Sequence, residues 1–497
     1  MKRNTKILAA IVILALVTYA LVCYFCPNKY CCCFKEPTVP PPCDSVKHIS
    51  ATALAYQLDV NGQIVLNNDN KPELKPIEIR KPYRCNEIIL DASRPDAAGL
   101  RDFLQDLGFV QVNDCHCTSL GPELWRYAGS GTVDLIGVVK DPPPTGGGVG
   151  GMLLNYIVED FGSLDSIRFV DSTTIDTISI ENPVNICTKQ SVKIAIVDSG
   201  ADIDVNNPLK VKAGAAWKMA PLTSTCTPPV TTVMGLDMDP LRGPEPIDEN
   251  GHGTHINGIA VGLSSPSGGT SEGVELKFIN ARFTEGTKKE GSLFQALCGI
   301  YYAMEQGAEV INISWGFYDE DEPVMLGKIM DEADKNNVMI VAGMGNRGIY
   351  IGTSGERFWP ACYANKPNVI SVGAVVDKTS HRLADFSNWS LDANVMTVSA
   401  VGQDVISTYP MHLTPSTTTI GGKKIVSGWV KQSGTSMATP YASRTVAVMK
   451  GIGKKDPALT VSDIKHFIQI NASTQPNRQY DHMQLCTQMC NTSIPIH

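Results

Sequence analysis

Short apolar segments alternate with helical segments along the second half of this chain of 497 residues, and this alternation restricts the fold more than any other feature. The strand-like segments are residues 192–197, 275–280, 310–314, 338–342 and 369–375, and the helical segments between them are residues 294–304 and 325–335. Apolar strands that alternate with helices favour a parallel sheet with helices on both faces. We therefore predict an α/β domain over residues 191–472, with functional groups at the carboxyl ends of its strands.

Two polar residues directly follow predicted strands. Asp198 closes the strand at 192–197, where a buried carboxylate is costly unless it is hydrogen-bonded. Asn346 follows the strand at 338–342 on a glycine-rich turn. Each has a plainer interpretation, because aspartate and asparagine are both common turn residues. Asp202 and Asp204, close behind Asp198, are either surface acids or calcium ligands.

Two further polar residues stand at predicted helix starts. His252 lies between glycines and opens an apolar helical run, and Ser436 opens another at residues 437–449. Backbone N–H groups and the positive end of the helix dipole lie beside a residue in that position. A serine there is often only an N-cap. His252 and His255 also have the spacing of a metal pair, but no acidic partner stands at zincin spacing, so we interpret His255 as structural.

The sequence around these residues resembles the motifs of one enzyme family. VDSG at Asp198, GHGTHINGIA at His252 and GTSMATP at Ser436 resemble the three signatures of the subtilisin-like serine proteases, or subtilases, and Gly345-Asn346 resembles their oxyanion motif. The order Asp, His, Ser is one of three known for such triads. The resemblance implies a subtilisin-like fold and an endopeptidase acting on polypeptides, with Asp198, His252 and Ser436 as triad and Asn346 as oxyanion donor.

The resemblance also implies a substrate-binding set, which consists of Ser314, Trp315, Gly316, Gly343 and Phe358. A bulky Phe358 would shorten the specificity pocket and favour small residues, and Arg347 would add a preference for acidic ones. No cofactor is required. Calcium is an open alternative without support, because residues 264–273 lack the asparagine-rich calcium loop of many relatives, and no metal ligands are assigned.

We expect the N-terminal part of the chain to consist of targeting and regulatory segments. Residues 7–25 form an apolar run after Lys2, Arg3 and Lys6, and within residues 1–27 they predict a membrane anchor, a signal peptide cut after Ala20, or lipidation at Cys23. The catalytic domain then lies outside the cytoplasm, at the membrane or secreted.

Three segments separate this run from the catalytic domain. Residues 28–83 are proline-rich and predict a tether with a short strand at 64–66. Residues 84–140 predict a small α+β domain, which is similar to a subtilase propeptide and would pack on the catalytic domain as an intramolecular partner. Residues 141–190 predict a linker and N-terminal extension that contains the maturation cleavage, and residues 473–497 a polar tail.

Fifteen cysteines favour disulfides if the chain is exported, and palmitoylation of Cys31, Cys32 and Cys33 if that side is cytosolic. Cys115-His-Cys117 has the look of part of a metal site, but no second pair stands at a zinc spacing. An odd total leaves at least one thiol without an intramolecular partner.

A net charge of −8 argues against nucleic-acid binding. Two alternatives stay open: an inactive subtilase-fold binding protein, and a processing protease with one partner substrate.

Overall fold

The structure is a computed structural model that describes residues 46–57, 65, 67–68, 73–115, 121–141, 151–158, 167–171, 181–202, 204, 206–208, 218–219, 235–238, 245–263, 269–284, 286–287, 290–352, 355–377, 382–415, 419–420, 422–454 and 459–471. The predicted anchor at 7–25, the strand at 64–66 and the tail at 473–497 fall wholly or largely outside these residues. The helices of the described ranges are too short or too polar to cross a bilayer.

The elements up to residue 158 are β1 (Val46–Tyr56), β2 (Leu74–Leu90), α1 (Ala97–Asp106), β3 (Phe109–Asp114), β4 (Glu123–Tyr127), α2 (Leu135–Lys140) and β5 (Met152–Val158). We call residues 46–158 the N-terminal module.

The elements that follow are β6 (Arg168–Asp171), β7 (Glu181–Asp198), β8 (Lys218–Met219), β9 (Gly235–Asp237), α3 (His252–Val261), β10 (Gly269–Arg282), β11 (Gly291–Ser292), α4 (Leu293–Glu305), β12 (Val310–Ile313), β13 (Phe317–Asp319), α5 (Val324–Lys335), β14 (Met339–Gly343), β15 (Ile349–Tyr350), β16 (Arg357–Trp359), β17 (Val369–Val375), β18 (Val398–Val401), β19 (Val405–Thr408), β20 (Thr419–Ile420), β21 (Lys423–Gln432), α6 (Thr435–Gly453) and α7 (Val461–Asn471).

A parallel sheet forms the centre of the catalytic domain, in the order β18-β17-β14-β12-β7-β10-β8, with β9 also paired to β10. Successive residues of β7 pack on opposite sides: Ala195 and Val197 face the core beneath α4 and α5, and Ile194 and Ile196 face the core beneath α3, α6 and α7. Because both faces are covered, the strands are apolar throughout. The predicted strands and helices of this domain are confirmed, with ends shifted by a few residues or extended.

The N-terminal module is larger than the sequence predicts. The tether prediction for 28–83 is wrong over β1 and β2, which pair antiparallel along the whole length of β1. The proline-rich composition led to that prediction, because proline cannot donate to a ladder. Pro76 and Pro82 nevertheless lie within β2, before its pairing with β5 begins at Tyr83 and with β4 at Glu87, so one side of the strand is open there within the described residues. The linker prediction for 141–190 is wrong over β5, which is fully buried beside β2, and over the long strand β7.

Two cysteines join the module to the catalytic domain. Cys115, directly after β3, forms a disulfide with Cys298 in α4. Cys115 is therefore not a metal ligand, since its sulfur is already bonded. Cys117 lies outside the described residues. Cys85 is also disulfide-bonded. Cys362 is a buried free thiol, which agrees with the odd total of cysteines.

Candidate active site

The carboxyl ends of three neighbouring strands bring the predicted site residues together. β7, β12 and β14 are adjacent and parallel, so their carboxyl ends lie at one edge of the sheet. Asp198 is the last residue of β7, Ser314 follows β12 directly, and Asn346 comes three residues after the end of β14. The alternation of strands and helices therefore places Asp198 at one edge with two residues that follow it in the chain by more than a hundred positions.

His252 and Asp198 form a buried pair at this edge. His252 Nδ1 lies 2.7 Å from Asp198 Oδ1, and the two side chains are 2% and 0% exposed. The backbone N–H of Ser199 also donates to Asp198 Oδ1, at 2.7 Å. His252 begins α3, and its own backbone N–H donates to Asn250 Oδ1 at 2.8 Å. The carboxylate thereby holds the imidazole at a fixed orientation, as a base in an acyl-transfer site requires.

Asp248 anchors the start of α3, and sequence reasoning missed it. Its fully buried carboxylate accepts hydrogen bonds from Ser199 Oγ (2.8 Å), from the backbone N–H groups of Asn250 (3.1 Å) and Gly251 (2.8 Å), and from the N–H (2.7 Å) and hydroxyl (2.6 Å) of Thr254. The loop after β7 and the first turn of α3 therefore share one acceptor. An aspartate just before a helix start is a sequence signal that could have found it.

Ser436 lies in the first turn of α6, and its 1% exposure shows that the helix start is buried. The N-cap residue is Gly434, so the N-cap interpretation of Ser436 is wrong. Its hydroxyl instead donates to the backbone carbonyl of Ser314 at 2.9 Å, and the Ser314 hydroxyl donates to the Ser436 carbonyl at 3.1 Å. Helices α3 and α6 contact each other, so the helices that carry His252 and Ser436 are neighbours.

Asn346 is held beside the start of α6 by the residue before Ser436. The backbone N–H of Thr435 donates to Asn346 Oδ1 at 2.7 Å, and the Thr435 hydroxyl accepts from the Gly345 backbone N–H at 3.0 Å. Because Oδ1 is engaged with Thr435, the amide is oriented with its donor nitrogen on the other side. The plain turn interpretation of Asn346 therefore does not describe its contacts.

Asn388 fastens the loop that carries Asn346, and it too was missed from the sequence. Its Oδ1 accepts from the backbone N–H groups of Arg347 (3.1 Å) and Ile349 (3.0 Å). Its Nδ2 donates to the Met344 carbonyl (2.7 Å) and the Tyr318 hydroxyl (2.9 Å). Four bonds from one fully buried amide tie both sides of the loop together. An asparagine in a polar stretch has no sequence signal for this role.

The predicted substrate-binding residues differ in what they contact. Phe358 is 1% exposed, and its ring fills the space between Gly316 and Gly345. A Cβ atom added to Gly316 would lie 2.5 Å from the ring, and one added to Gly345 would lie 3.2 Å from it. Gly343 packs on α6, where an added Cβ would lie 3.0 Å from Thr439 Oγ1. The Trp315 side chain belongs to the core instead.

The Trp315 indole donates to the Val197 carbonyl at 2.9 Å and packs edge-on against Phe283. A substrate-binding role of Trp315 is therefore restricted to its backbone. The Arg347 guanidinium, which is half-buried, lies over the Tyr318 ring at 5.1 Å from its centre.

The remaining polar residues have defined contacts. His255 Nε2 lies 3.2 Å from the Val405 carbonyl, and burial lowers the pKa of His255 to about 3, with a smaller contribution from nearby His252. His255 is thus a neutral structural histidine, as predicted. Asp202 is buried and accepts from Asp204 N–H, Asn207 Nδ2 and Met411 N–H. The described residues contain no group of three His, Cys, Asp or Glu side chains suited to a metal ion.

Comparisons with known proteins agree with this geometry. The sequence profile of the Subtilase family matches residues 189–484. The chain is 28% identical over 290 residues to an intracellular serine protease of Paenibacillus polymyxa, covering 58% of this chain and 75% of that protein. It is 29% identical over 285 residues to subtilisin DY of Bacillus licheniformis, covering 57% of this chain and 84% of that protein.

A solved structure extends the likeness beyond the catalytic domain. Fervidolysin from Fervidobacterium pennivorans, described as a keratinolytic enzyme related to subtilisin, matches with a TM-score of 0.56 at 16% identity. The match covers 93% of this chain and 66% of fervidolysin. At that identity it speaks to the fold alone. The profile match spans more than half of the chain, and the chain is therefore a subtilisin-like serine endopeptidase that belongs to the subtilase family.

Proposed function

We propose that Asp198, His252 and Ser436 are the catalytic triad of this endopeptidase. The observation that carries the proposal is the 2.7 Å contact between His252 Nδ1 and Asp198 Oδ1 in a buried setting. Because Nδ1 is engaged by the carboxylate, proton exchange with Ser436 and the substrate falls to Nε2. The Ser436 hydroxyl must leave the Ser314 carbonyl as it gives up its proton, which a change of rotamer about its Cα–Cβ bond allows.

The reaction follows from these positions. Ser436 Oγ attacks the peptide carbonyl carbon while His252 takes the hydroxyl proton, and the resulting oxyanion receives hydrogen bonds from Asn346 Nδ2 and the Ser436 backbone N–H. His252 then gives the proton to the leaving amine, and the C–N bond breaks. Water repeats the sequence on the acyl-enzyme and releases the new carboxyl end with the enzyme unchanged. Asp198 stabilises the imidazolium formed in each half.

A fluorophosphonate probe tests the triad, because it reacts only with an activated serine. The wild-type chain should be labelled and the Ser436→Ala variant should not be. Ser433→Ala is the matched control, since the Ser433 hydroxyl contacts Asp404 and not the site. Loss of labelling in the control, or a folded and processed wild-type chain that never labels, would contradict the assignment.

We further propose that the chain is made as a zymogen, which the N-terminal module keeps inactive only until the chain between the module and the central sheet is cut. In its favour, Val158 and Ile157 of β5 pair with Gly291 and Ser292 of β11, directly before α4. Strand pairing of this kind is a common way for one polypeptide segment to bind another. Over time, the wild-type full chain should cleave itself between the module and the central sheet, and Ser436→Ala should stay intact.

Export is the localisation that we propose, with residues 7–25 as membrane anchor, or as a signal peptide cut after Ala20. The disulfide between Cys115 and Cys298 supports it, because disulfides persist in oxidising compartments. Added protease should digest the catalytic domain on intact cells if the chain is anchored, and the domain should appear in the medium if it is cut. Recovery of the chain only inside cells with all cysteines reduced would contradict export.

The substrate class that we propose is extended polypeptide with a small residue before the scissile bond. The Phe358 ring between Gly316 and Gly345 supports this, since it occupies volume that a large side chain would need. A preference for acidic residues through Arg347 stays a prediction. Calcium dependence is left open.

A further inference from the structure

We propose that the N-terminal module remains a permanent subunit of the mature enzyme, held by the Cys115–Cys298 disulfide after the zymogen is cleaved. The proposal rests on the proposed processing between β5 and β7. The two cysteines are separated by 183 residues, and any cut between residues 158 and 181 falls between them. Hydrolysis there consumes one water and breaks one peptide bond, but it leaves the disulfide intact. The product is a two-chain protein.

The interface itself has the character of a shared core. One contiguous cluster of buried apolar side chains runs from the module into the α4 and α5 side of the catalytic domain. It includes Ile88, Leu104, Phe109, Trp125 and Leu154 of the module and Leu293, Phe294, Leu297, Ile329 and Met330 of the catalytic domain. Contacts that resemble a domain core cut in half are typical of obligate partners, whereas transient ones are smaller and more polar. A partner of this kind does not leave without exposing its core.

Backbone pairing joins the two parts at two separate places. β1 pairs antiparallel with β15 through Leu54 and Ala55, and β5 pairs with β11. Next to β15, the Tyr56 ring stacks on Trp389 with centres 4.4 Å apart. The module is therefore hydrogen-bonded to the catalytic domain through two strands, in addition to the disulfide.

Buried polar groups of the module are satisfied by the catalytic domain. Asn155 is fully buried, and its Oδ1 accepts the Phe294 backbone N–H at 3.0 Å, at the start of α4. The Tyr156 hydroxyl donates to Asp319 Oδ2 at 2.7 Å. Lys81 Nζ lies 2.9 Å from Glu356 Oε1, with both side chains less than 10% exposed. Each of these contacts has one partner in the module and one in the catalytic domain, so separating the module breaks all three.

The covalent link decides the outcome after cleavage. A free propeptide is lost by dilution once it dissociates. A tethered one stays at an effective concentration that is about millimolar for short linkers, so the module would rebind whenever it opened. Both cysteines are less than 10% exposed, which shields the sulfur atoms from dissolved thiols while the module is docked. Retention is therefore the expected state of the processed enzyme.

Mass spectrometry of the processed full chain tests retention. Under denaturing, non-reducing conditions the cleaved wild type should have the mass of the uncleaved chain plus one water, and reduction should split it into two fragments. A variant with both Cys115→Ala and Cys298→Ala, made in a Cys85→Ala background because Cys85 is also disulfide-bonded, should give two fragments without reduction, whereas Cys85→Ala alone should stay linked. Cys362→Ala is the control, because it removes a buried free thiol and should behave as the wild type. A peptide map of the unreduced wild type should contain the linked Cys115 and Cys298 peptides whether or not the variants fold.

A second arm separates this proposal from the zymogen proposal. A recognition sequence for an unrelated protease is inserted between Gly162 and Ser163 of the Ser436→Ala chain, and that protease makes the cut after the module and between the two cysteines. Fragments that stay linked until reduction support the tether even if the wild type never cleaves itself. Fragments that separate in denaturant without reductant, or a map with Cys115 and Cys298 in other pairs or as thiols, would overturn it even if self-cleavage is confirmed.

Discussion

Asp248 binds both polar groups of Thr254, the backbone N–H at 2.7 Å and the hydroxyl at 2.6 Å, in the first turn of the helix that His252 begins. The same carboxylate accepts from Ser199, the neighbour of Asp198. One buried acid thus joins the loop that follows Asp198 to the helix that begins with His252. We interpret Asp248 as a positioning residue, since none of its bonds reaches a reacting atom.

The Asp248→Asn substitution should lower kcat with little change in KM. An amide cannot accept from all five donors, so the imidazole loses its fixed position, and a shift of about 1 Å in such a group costs up to about 100-fold in rate. The free energy of unfolding should also fall by about 1–3 kcal/mol. Rates are normalised to the number of probe-reactive sites, which removes the effect of unfolded molecules. Asp204→Asn, on an exposed acid of the nearby loop, is the control, and an unchanged kcat per active site in Asp248→Asn would refute the positioning role.

The Asn346→Ala substitution should lower kcat by about 10²–10³ with KM nearly unchanged. Removing one oxyanion donor has that effect because the lost hydrogen bond is stronger in the transition state than in the bound substrate. Steady-state kinetics on a peptide amide measures it. Asn336→Ala, an exposed asparagine after α5, should keep the wild-type rate. A rise in KM alone would assign Asn346 to substrate binding instead.

The Phe358→Ala substitution should widen the specificity pocket. The ratio of kcat/KM for a substrate with Phe before the scissile bond to that for one with Ala should rise by at least about 10-fold, the scale on which hydrophobic pockets discriminate. Stability should fall by about 3–5 kcal/mol, as for other buried phenylalanines. Phe278→Ala, the same truncation beneath the other face of the sheet, should leave the ratio unchanged. An equal ratio in both variants would mean that Phe358 is only a core residue.

His255 should make the enzyme less stable in mild acid. Its pKa is lowered from 6.5 to about 3 in the folded protein, so below pH 6.5 the unfolded chain binds a proton that the folded chain excludes. The free energy of unfolding should therefore fall as the pH drops from about 6.5 toward 3, by up to about 1.4 kcal/mol per pH unit from this group. Urea unfolding of the Ser436→Ala chain measures the slope. Adding His255→Gln should flatten it and adding His412→Gln, on an exposed histidine, should not; a slope that both leave intact would refute the assignment.

The sequence determined the catalytic domain because its information there is local. Apolar runs of strand length, glycines around His252 and the helical run after Ser436 each predict their own segment, and the order of the segments then specifies a parallel sheet. The carboxyl ends of β7, β12 and β14 meet as a consequence of that topology. Asp198 and Asn346 could therefore be placed at one edge of the sheet from the sequence, because each follows a predicted strand.

The contacts that support the site could be identified only in the tertiary structure, since they join residues whose local sequence predicts no such contact. Asn388 lies in a polar stretch with no periodic signal, yet four hydrogen bonds make it the fastener of the Asn346 loop. Trp315 stands in a substrate-binding segment, yet its indole belongs to the core. Side-chain direction and long-range hydrogen bonding depend on the packing of several elements at once, which no single segment encodes.

The N-terminal module shows the same division most clearly. Its proline-rich and glycine-rich stretches predicted a tether and a linker. Only the packed structure shows β1 and β5 as strands, because each is held by pairing with β2 and with the catalytic domain. The bond between Cys115 and Cys298 likewise depends on the docking of β3 against α4. The sequence determined which residues can do chemistry, and the tertiary structure decided what holds them in place and that the module is bound to the catalytic domain.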